Sequence, residues 1–412
     1  MELLHNAVRP YAWGSRTTIA ELLGRPVPAP HPEAELWMGA HPGDPSKVIG
    51  PDGERLSLLD LVEADPQRQL GSACARRWGN RLPFLLKILA ADEPLSMQAH
   101  PSAEQAAIGH ALEEAAGIPR EAANRNYPDP TAKPELVCAL TTFHALAGFA
   151  DPKRTVRLLR SVQTPSLSPY VELLAGQPDS AGLRALFTTW ITLPQPALDE
   201  LLPELLEMCI THVREHGEFA RECRTILELG EAHPGDAGVL AALLLNRIVL
   251  GPGEAIYLPP GNLHVYLHGA AVEILANSDN ILRGGLTPKH VDVPELLRVL
   301  DFGCGDMPVL RGHRVADHLH VYRTTAPEFE LSRVEWARGE DGEVTLRCHG
   351  PQIVVCTAGL VKLRSGDGRR IELSRGQSVW LAAADPEVLV WPVGEGGAQL
   401  FRATAGSDSA PG

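Results

Sequence analysis

Four short segments carry residue types from which a metal-assisted active site is built. Gln98-x-His100-Pro101 sets an amide and an imidazole two residues apart, so on a strand both point to one face and both can ligate a metal. Taken alone the pair is weak, because a histidine on a strand face is more often structural. Lys133-Pro134-Glu135 is the second segment. Pro134 restrains its own φ and biases Lys133 toward an extended backbone, which predicts Lys133 and Glu135 on one side of a short strand. A surface ion pair on a loop fits the same residues. His264 is the third, in Gly261-Asn262-Leu263-His264-Val265-Tyr266, where alternation predicts His264, Tyr266 and His268 on one face and makes Tyr266 a further substrate-facing residue. No spacing rule joins His264 to His100. The fourth runs from Ser278 to Lys289 and gathers Asp279, Arg283 and Lys289 around Gly284-Gly285. Arg283 as a bidentate fork and Lys289 as a point charge suit a phosphate, and the glycine pair lets backbone approach a ligand closely. A solvated basic turn is the bland alternative.

Two tempting motifs fail on their context. The Ser278-Asp279-Asn280 triplet lacks the Ser-x-x-Lys and Lys-Thr-Gly elements that accompany it in β-lactamases, and Gly303-x-Gly305 has no third glycine for a dinucleotide site.

The elements that must position these residues are mostly strands. Pro83 to Ala91 reads as a buried strand and Leu95 to His100 as another. Ser102 with Gln105 forms a capping box, which predicts a helix over the alanine-rich run to Ala116, ended by Gly117. Between about Asp151 and Gly230 leucines recur at three- and four-residue intervals, as in Leu198, Leu201, Leu202, Leu205 and Leu206. Proline-bearing breaks separate this run from an earlier one at Val156, Leu158 and Leu159, which predicts a subdomain of several short helices. After the turn Gly251-Pro252-Gly253, strands are expected at Ala255 to Leu258 and Leu263 to Leu267. Five more are expected at Gln352–Cys356, Leu360–Leu363, Arg370–Leu373, Ser378–Leu381 and Val388–Trp391, a spacing that suggests a sandwich or jelly roll. The tail from Gly406 to Gly412 is expected to fray. The tetrapeptide His-Pro-Gly-Asp at 41 and 233 is the longest repeat and is read as coincidence.

Composition narrows the partners. At 412 residues the chain is long enough for two or three domains, and 44% hydrophobic with 21% charged residues is the balance of a folded protein. A net charge of −14 argues against wrapping nucleic acid or lying on an anionic membrane, since both need a cationic face. The seven cysteines are scattered, with no Cys-x-x-Cys pair, which predicts reduced cytosolic thiols rather than a disulfide framework or a cysteine zinc site. The N-terminus has no basic-then-apolar layout of a signal peptide, and the most apolar run, Val239 to Leu250, is too short to span a bilayer. A soluble, cytoplasmic monomer is expected.

Taken in order, these segments resemble the type I phosphomannose isomerases of the cupin superfamily. The resemblance runs through Asn6 to Gly14 (with Pro-Tyr-Ala-Trp-Gly), Glu35-Leu-Trp-Met-Gly-Ala-His-Pro42, Leu82-Pro-Phe-Leu-Leu-Lys87 and Pro94-Leu-Ser-Met-Gln-Ala-His-Pro101. It continues through Tyr127-Pro-Asp129, Lys133-Pro-Glu135, Pro234-Gly-Asp236, Gly253-Glu-Ala-Ile-Tyr-Leu-Pro259, Glu273 and Ser278 to Lys289. It covers about residues 1 to 300 in collinear order. The sequence departs from the family where Glu93, Ala132 and Leu263 stand in place of Lys, His and Pro, and none of these is a proposed ligand.

The resemblance implies a mainly β fold. A cupin jelly-roll core (1–150 and 231–305) would be interrupted by a helical insertion (151–230) and followed by a C-terminal β-rich domain (306–412). It implies one Zn²⁺ held by Gln98, His100, Glu135 and His264, with Arg283 as the catalytic arginine. Ser96, Lys87, Lys133, Glu273, Asp279 and Lys289 would line a sugar-phosphate pocket. No second metal is expected among His313, His318, His320 and His349. The implied reaction is reversible isomerisation of mannose 6-phosphate and fructose 6-phosphate through an enediol. A Lewis-acid zinc and Arg283 would stabilise the oxyanion, and Glu273, a zinc-bound water or Lys133 would serve as base. Two rivals remain at this level: a non-catalytic cupin that binds a sugar phosphate, and an iron cupin oxygenase, which would more naturally show two histidines and one carboxylate without the basic elements.

Overall fold

Phe84–Ala91 is a strand buried at every position, as its unbroken apolar run predicts, with Lys87 its one charged residue. It belongs to a ten-stranded antiparallel sheet in the computed structural model, which describes residues 1–50 and 52–406. The tail expected to fray lies, from residue 407 on, outside the described residues. The main path of this sheet runs Leu245–Leu250, Phe143–Phe149, His264–Ala276, Phe84–Ala91, Glu35–Met38, Ala7–Arg9. Ala255–Leu258 joins through Glu135–Ala139, and Leu282–Gly285 through Met97–Ala99.

The organising element is His264–Ala276, which the sequence reading cut short at Leu267. Its first half pairs with Phe143–Phe149 and, at His264, with Gln98. From Gly269 on it pairs with Phe84–Ala91, and from Ala271 with Glu135–Ala139 as well. Gly269 sits at φ 117, where an L side chain is strained, and a Cβ there would lie 2.5 Å from the Thr142 carbonyl oxygen. One strand thus carries His264, Tyr266 and Glu273 past partners on both sides.

Flanking elements follow local chemistry. Ser102 and Gln105 form the reciprocal capping box that starts helix Ala103–Ala115, and Gly117 leaves it at φ 68. The helical region contains Pro152–Ser161, Ser168–Gly176, Ser180–Ile191, Gln195–Arg214 and Ala220–Ala232. Pro203 lies exposed inside the 20-residue helix Gln195–Arg214, within the leucine run expected to be helical. A proline in a helix interior costs about 3 kcal/mol. The buried stripe Leu198, Leu201, Leu202, Leu205 and Cys209 offsets this by packing into the surrounding core. The apolar run Val239 to Leu250 divides into helix Gly238–Ala242 and strand Leu245–Leu250. No described helix is long and apolar enough to cross a membrane.

The five strands expected in the last hundred residues are all present, most extended by a residue or two. They split between a nine-stranded and a four-stranded sheet, and apolar side chains such as Val354, Leu363, Val388 and Leu400 fill one core. Glu2–His5 pairs with Ser378–Leu381 on one side and with Lys47–Ile49 on the other, so N-terminal strands complete the nine-stranded sheet.

Candidate active site

Three neighbouring strands set the centre by register. Gln98 pairs with His264 on one side and with Arg283 on the other, so these residues stand side by side. His100 follows the end of its short strand. The distance that no spacing rule could close is closed by pairing: the ligand atoms of His100, Glu135 and His264 all lie within 4.8 Å of one another, in residues that are all buried.

The two imidazoles are oriented from behind. His100 Nδ1 is 2.8 Å from the Asn280 carbonyl oxygen, and His264 Nδ1 is 3.0 Å from that of Asn262. A carbonyl only accepts, so each Nδ1 carries the proton and each Nε2 presents a lone pair. These Nε2 atoms face the Glu135 carboxylate at 3.2 and 3.5 Å and have no hydrogen-bond partner. Lone pairs of two imidazoles aimed at a buried carboxylate repel one another unless a cation sits between them, which is the donor set a zinc-like ion takes. Burial, with the charge of Lys133 adding to it, lowers His100 to about 4 and keeps it neutral. Burial alone would raise the Glu135 carboxyl; the charge of Lys133, whose Nζ lies 3.0 Å from Oε1, opposes it, and the carboxyl is held well below the usual range.

In front of this cluster lies a cavity of about 510 Å³, lined by Gln98, Lys133, Glu135, Tyr266, Glu273 and Arg283 among others. Ser96, Lys87, Asp279 and Lys289 line it too, so every residue expected in the pocket reaches it, while His100 and His264 contact Glu135 without lining the cavity themselves. The Tyr266 hydroxyl donates to Glu273 Oε1 at 2.9 Å. Burial raises the Glu273 carboxyl, the charge of Glu135 raises it further, and Lys87 opposes both. Lys87 Nζ lies 3.5 Å from Glu35 Oε1 and 3.5 Å from Glu273 Oε2, and these carboxylates outweigh the burial that disfavours its charge. Arg283 and Lys289 differ: among the described residues neither has a carboxylate partner, and burial lowers both, with Arg283 adding to the effect on Lys289.

Two expectations are corrected. His268 does not share a face with His264 and Tyr266, because the register shifts between Tyr266 and His268 and turns His268 to solvent opposite His144. The Gly284-Gly285 pair does not serve close approach to a ligand. A Cβ at Gly285, at φ 117, would meet Asp236 Oδ1 at 2.8 Å and Gly238 Cα at 2.8 Å, so the glycine lets two chain segments pass. Asp236 then accepts the Thr287 backbone N–H at 3.2 Å and steadies the turn before Lys289.

Several lining residues went unassigned. Glu35, Trp37 and His41 lie within a quoted motif, yet nothing in their spacing marks them as functional. The His-Pro-Gly-Asp repeat was a usable signal: both His41 and His233 reach the cavity, each from a turn closed by the aspartate N–H on the histidine carbonyl. The Ser278-Asp279-Asn280 triplet divides its labour. Ser278 donates to Asp129 at 2.9 Å, the Asn280 carbonyl orients His100, and Asp279 faces the cavity.

Comparison with known proteins follows the same lines. A family model described as phosphomannose isomerase type I, catalytic domain, matches residues 1–151. Over 391 residues the chain is 39% identical to the mannose-6-phosphate isomerase of Escherichia coli (strain K12), covering 95% of this chain and 97% of that protein. It is 32% identical over 359 residues to the mannose-6-phosphate isomerase of Homo sapiens, covering 80% of each. A variant of phosphomannose isomerase from Salmonella typhimurium superposes with a TM-score of 0.87 at 35% identity, over 99% of this chain and 100% of that one. A mannose 6-phosphate isomerase bound with zinc and yttrium superposes with a TM-score of 0.86 at 36% identity, with the same coverage.

Proposed function

The chain belongs to the type I phosphomannose isomerase family, and on that premise we propose that its cavity interconverts mannose 6-phosphate and fructose 6-phosphate through an enediol. One zinc ion per chain is held by Gln98, His100, Glu135 and His264. The observation that carries this reading is the convergence of two unpartnered imidazole Nε2 atoms on the Glu135 carboxylate, which lines a cavity that also holds two cations without a carboxylate partner among the described residues. Bound there, zinc supplies Lewis-acid stabilisation of the negative charge that develops on the sugar oxygens.

The protein's own side chains do the rest. Lys289, at the exposed end of the cavity, takes the phosphate, and Arg283, half-buried beside Gln98, neutralises the enediolate. Glu273 moves the proton between C2 and C1: a carboxyl raised by burial sits closer to neutrality, where an acid-base group works in both directions. The Tyr266 hydroxyl and the Lys87 ammonium hold its two oxygens in place. Lys133 donates to a sugar oxygen while paired with Glu135, and Ser96 and Asp279 bind hydroxyls.

We read the ten-stranded sheet as a cupin jelly roll built from 1–150 and 231–305, with 151–230 as a helical insertion and 306–412 as a C-terminal β-rich domain whose nine-stranded sheet borrows Glu2–His5, Lys47–Ile49 and Arg55–Ser57 from the N-terminal part. The partners that His264–Ala276 finds on both sides support closure of that core. The working state is a cytoplasmic monomer. The deciding experiment follows fructose 6-phosphate formation from mannose 6-phosphate before chelation, after chelation and with zinc restored. Activity is expected to vanish and return. A folded, zinc-replete protein that forms no fructose 6-phosphate would move the assignment to a sugar-phosphate-binding protein.

A further inference from the structure

Asp279 stands in the loop between His264–Ala276 and Leu282–Gly285, with its carboxylate on the cavity wall. Two side chains from distant parts of the chain hold it. Arg120 Nη2 lies 3.3 Å from Oδ2, but that arginine is 52% exposed, and solvent weakens such a contact. His41 is of another kind. Its side chain is 6% exposed, its ring packs edge-on to Trp37 at 4.9 Å, and its Nε2 is 3.1 Å from Asp279 Oδ1.

The tautomer of His41 follows from its other nitrogen. Nδ1 accepts the Gly43 backbone N–H at 3.0 Å, so it carries the lone pair. The proton therefore sits on Nε2 and is donated to Asp279. The turn is closed tightly around the ring: a Cβ at Gly43 would lie 3.1 Å from Nδ1. The backbone N–H of Asp279 is itself fixed, donating to Asp129 Oδ2 at 2.8 Å. A carboxylate offers about four lone-pair sites. His41 and Arg120 occupy two, and the remainder are available to hydroxyl donors.

We propose that His41 is a positioning residue of the isomerase: its fixed Nε2–H holds the Asp279 carboxylate in the orientation that accepts a hydroxyl of the sugar phosphate. The inference rests on the isomerase reading of the cavity. An aspartate left to swing on a loop would lose rotamer freedom each time substrate bound, and the buried imidazole removes that cost in advance.

The test is steady-state kinetics of the zinc-loaded full chain on mannose 6-phosphate, with a melting curve for each variant. In His41→Gln the amide nitrogen falls where Nε2 was; in His41→Asn it falls where Nδ1 was and no longer reaches Asp279. His41→Asn is expected to raise KM about tenfold with kcat changed less than about threefold, the scale of one lost charge-assisted hydrogen bond. His41→Gln is expected to stay within about threefold of wild type in KM. Combining His41→Asn with Asp279→Asn is expected to be no worse than Asp279→Asn alone. Equal KM values for the Gln and Asn variants would overturn the proposal, as would effects that multiply in the double variant. So would a His41→Asn protein that melts below the assay temperature while His41→Gln does not, since His41 would then serve the fold. An inactive wild-type protein would instead overturn the isomerase reading, and the positioning role with it.

Discussion

In the sheet that walls the cavity, Phe84–Ala91 is buried at every position and still carries Lys87. In the C-terminal sheets, Gln352–Ala358 is buried at six of its seven positions and carries no charged side chain. The contrast extends to the neighbours. Around Lys87 the buried residues include Glu35, Lys133, Glu135, Glu273, His100 and His264, whereas the C-terminal core is Val334, Val354, Leu363, Val379 and Leu400. Both regions obey the same backbone rules, with antiparallel strands and apolar alternation. Burying a charge is expensive unless it is paired, and replacing a buried pair with apolar side chains is often neutral or stabilising. The apolar interior of the C-terminal core is built without such a cluster, although beside it the Met1 ammonium pairs with Asp385 at 2.6 Å, both groups shielded from solvent. The ions of the cavity wall are held in place by one another, and their arrangement reflects chemistry rather than the needs of the sheet.

Three substitutions separate the two regions. Glu135→Gln keeps the side chain's volume and removes its charge. It is expected to lose zinc and to cut isomerase activity by about a thousandfold, the scale of several kcal/mol of lost charge stabilisation. The far-UV circular dichroism of the helices should be retained. Full activity in that variant, with zinc content measured alongside, would remove Glu135 from the ligand set. Leu400→Ala, in the C-terminal core, should show the opposite split. Unfolding in denaturant is expected to show a loss of about 3 kcal/mol, while kcat and KM below the melting temperature stay at wild-type values. A large fall in kcat would mean that the two regions are mechanically coupled. The smallest effect is expected at Lys289, exposed and free of a carboxylate partner. Lys289→Ala should raise KM for mannose 6-phosphate by about fivefold and weaken its dependence on salt, because a point charge facing solvent is screened.

Much of the site was legible as residue types. Gln98, His100, Glu135 and His264 have side chains able to ligate a metal, yet their spacing leaves them unconnected. Collinear resemblance to a family joined them on paper, and strand register joins them in space: Gln98 pairs with both His264 and Arg283. His268 shows the limit of period-two reasoning, since one register shift after Tyr266 reverses the face of everything beyond it. Gly285 is a place of close approach to Asp236 and Gly238, not to the ligand expected there.

What the sequence determined by itself is what short-range physics decides. The Ser102–Gln105 capping box and the Gly117 exit set the helix that follows His100, the leucine spacing set the buried face of Gln195–Arg214, and the apolar run of Phe84–Ala91 set a strand buried on both faces. Tertiary structure alone decided which distant segments meet. It placed Glu2–His5 against Ser378–Leu381, carried His264–Ala276 past partners on both sides, and set His41 on Asp279. Helices and caps are fixed by neighbours within one or two turns. Strand pairing and a hydrogen bond across hundreds of residues are fixed only when whole faces pack, and no local pattern encodes that choice.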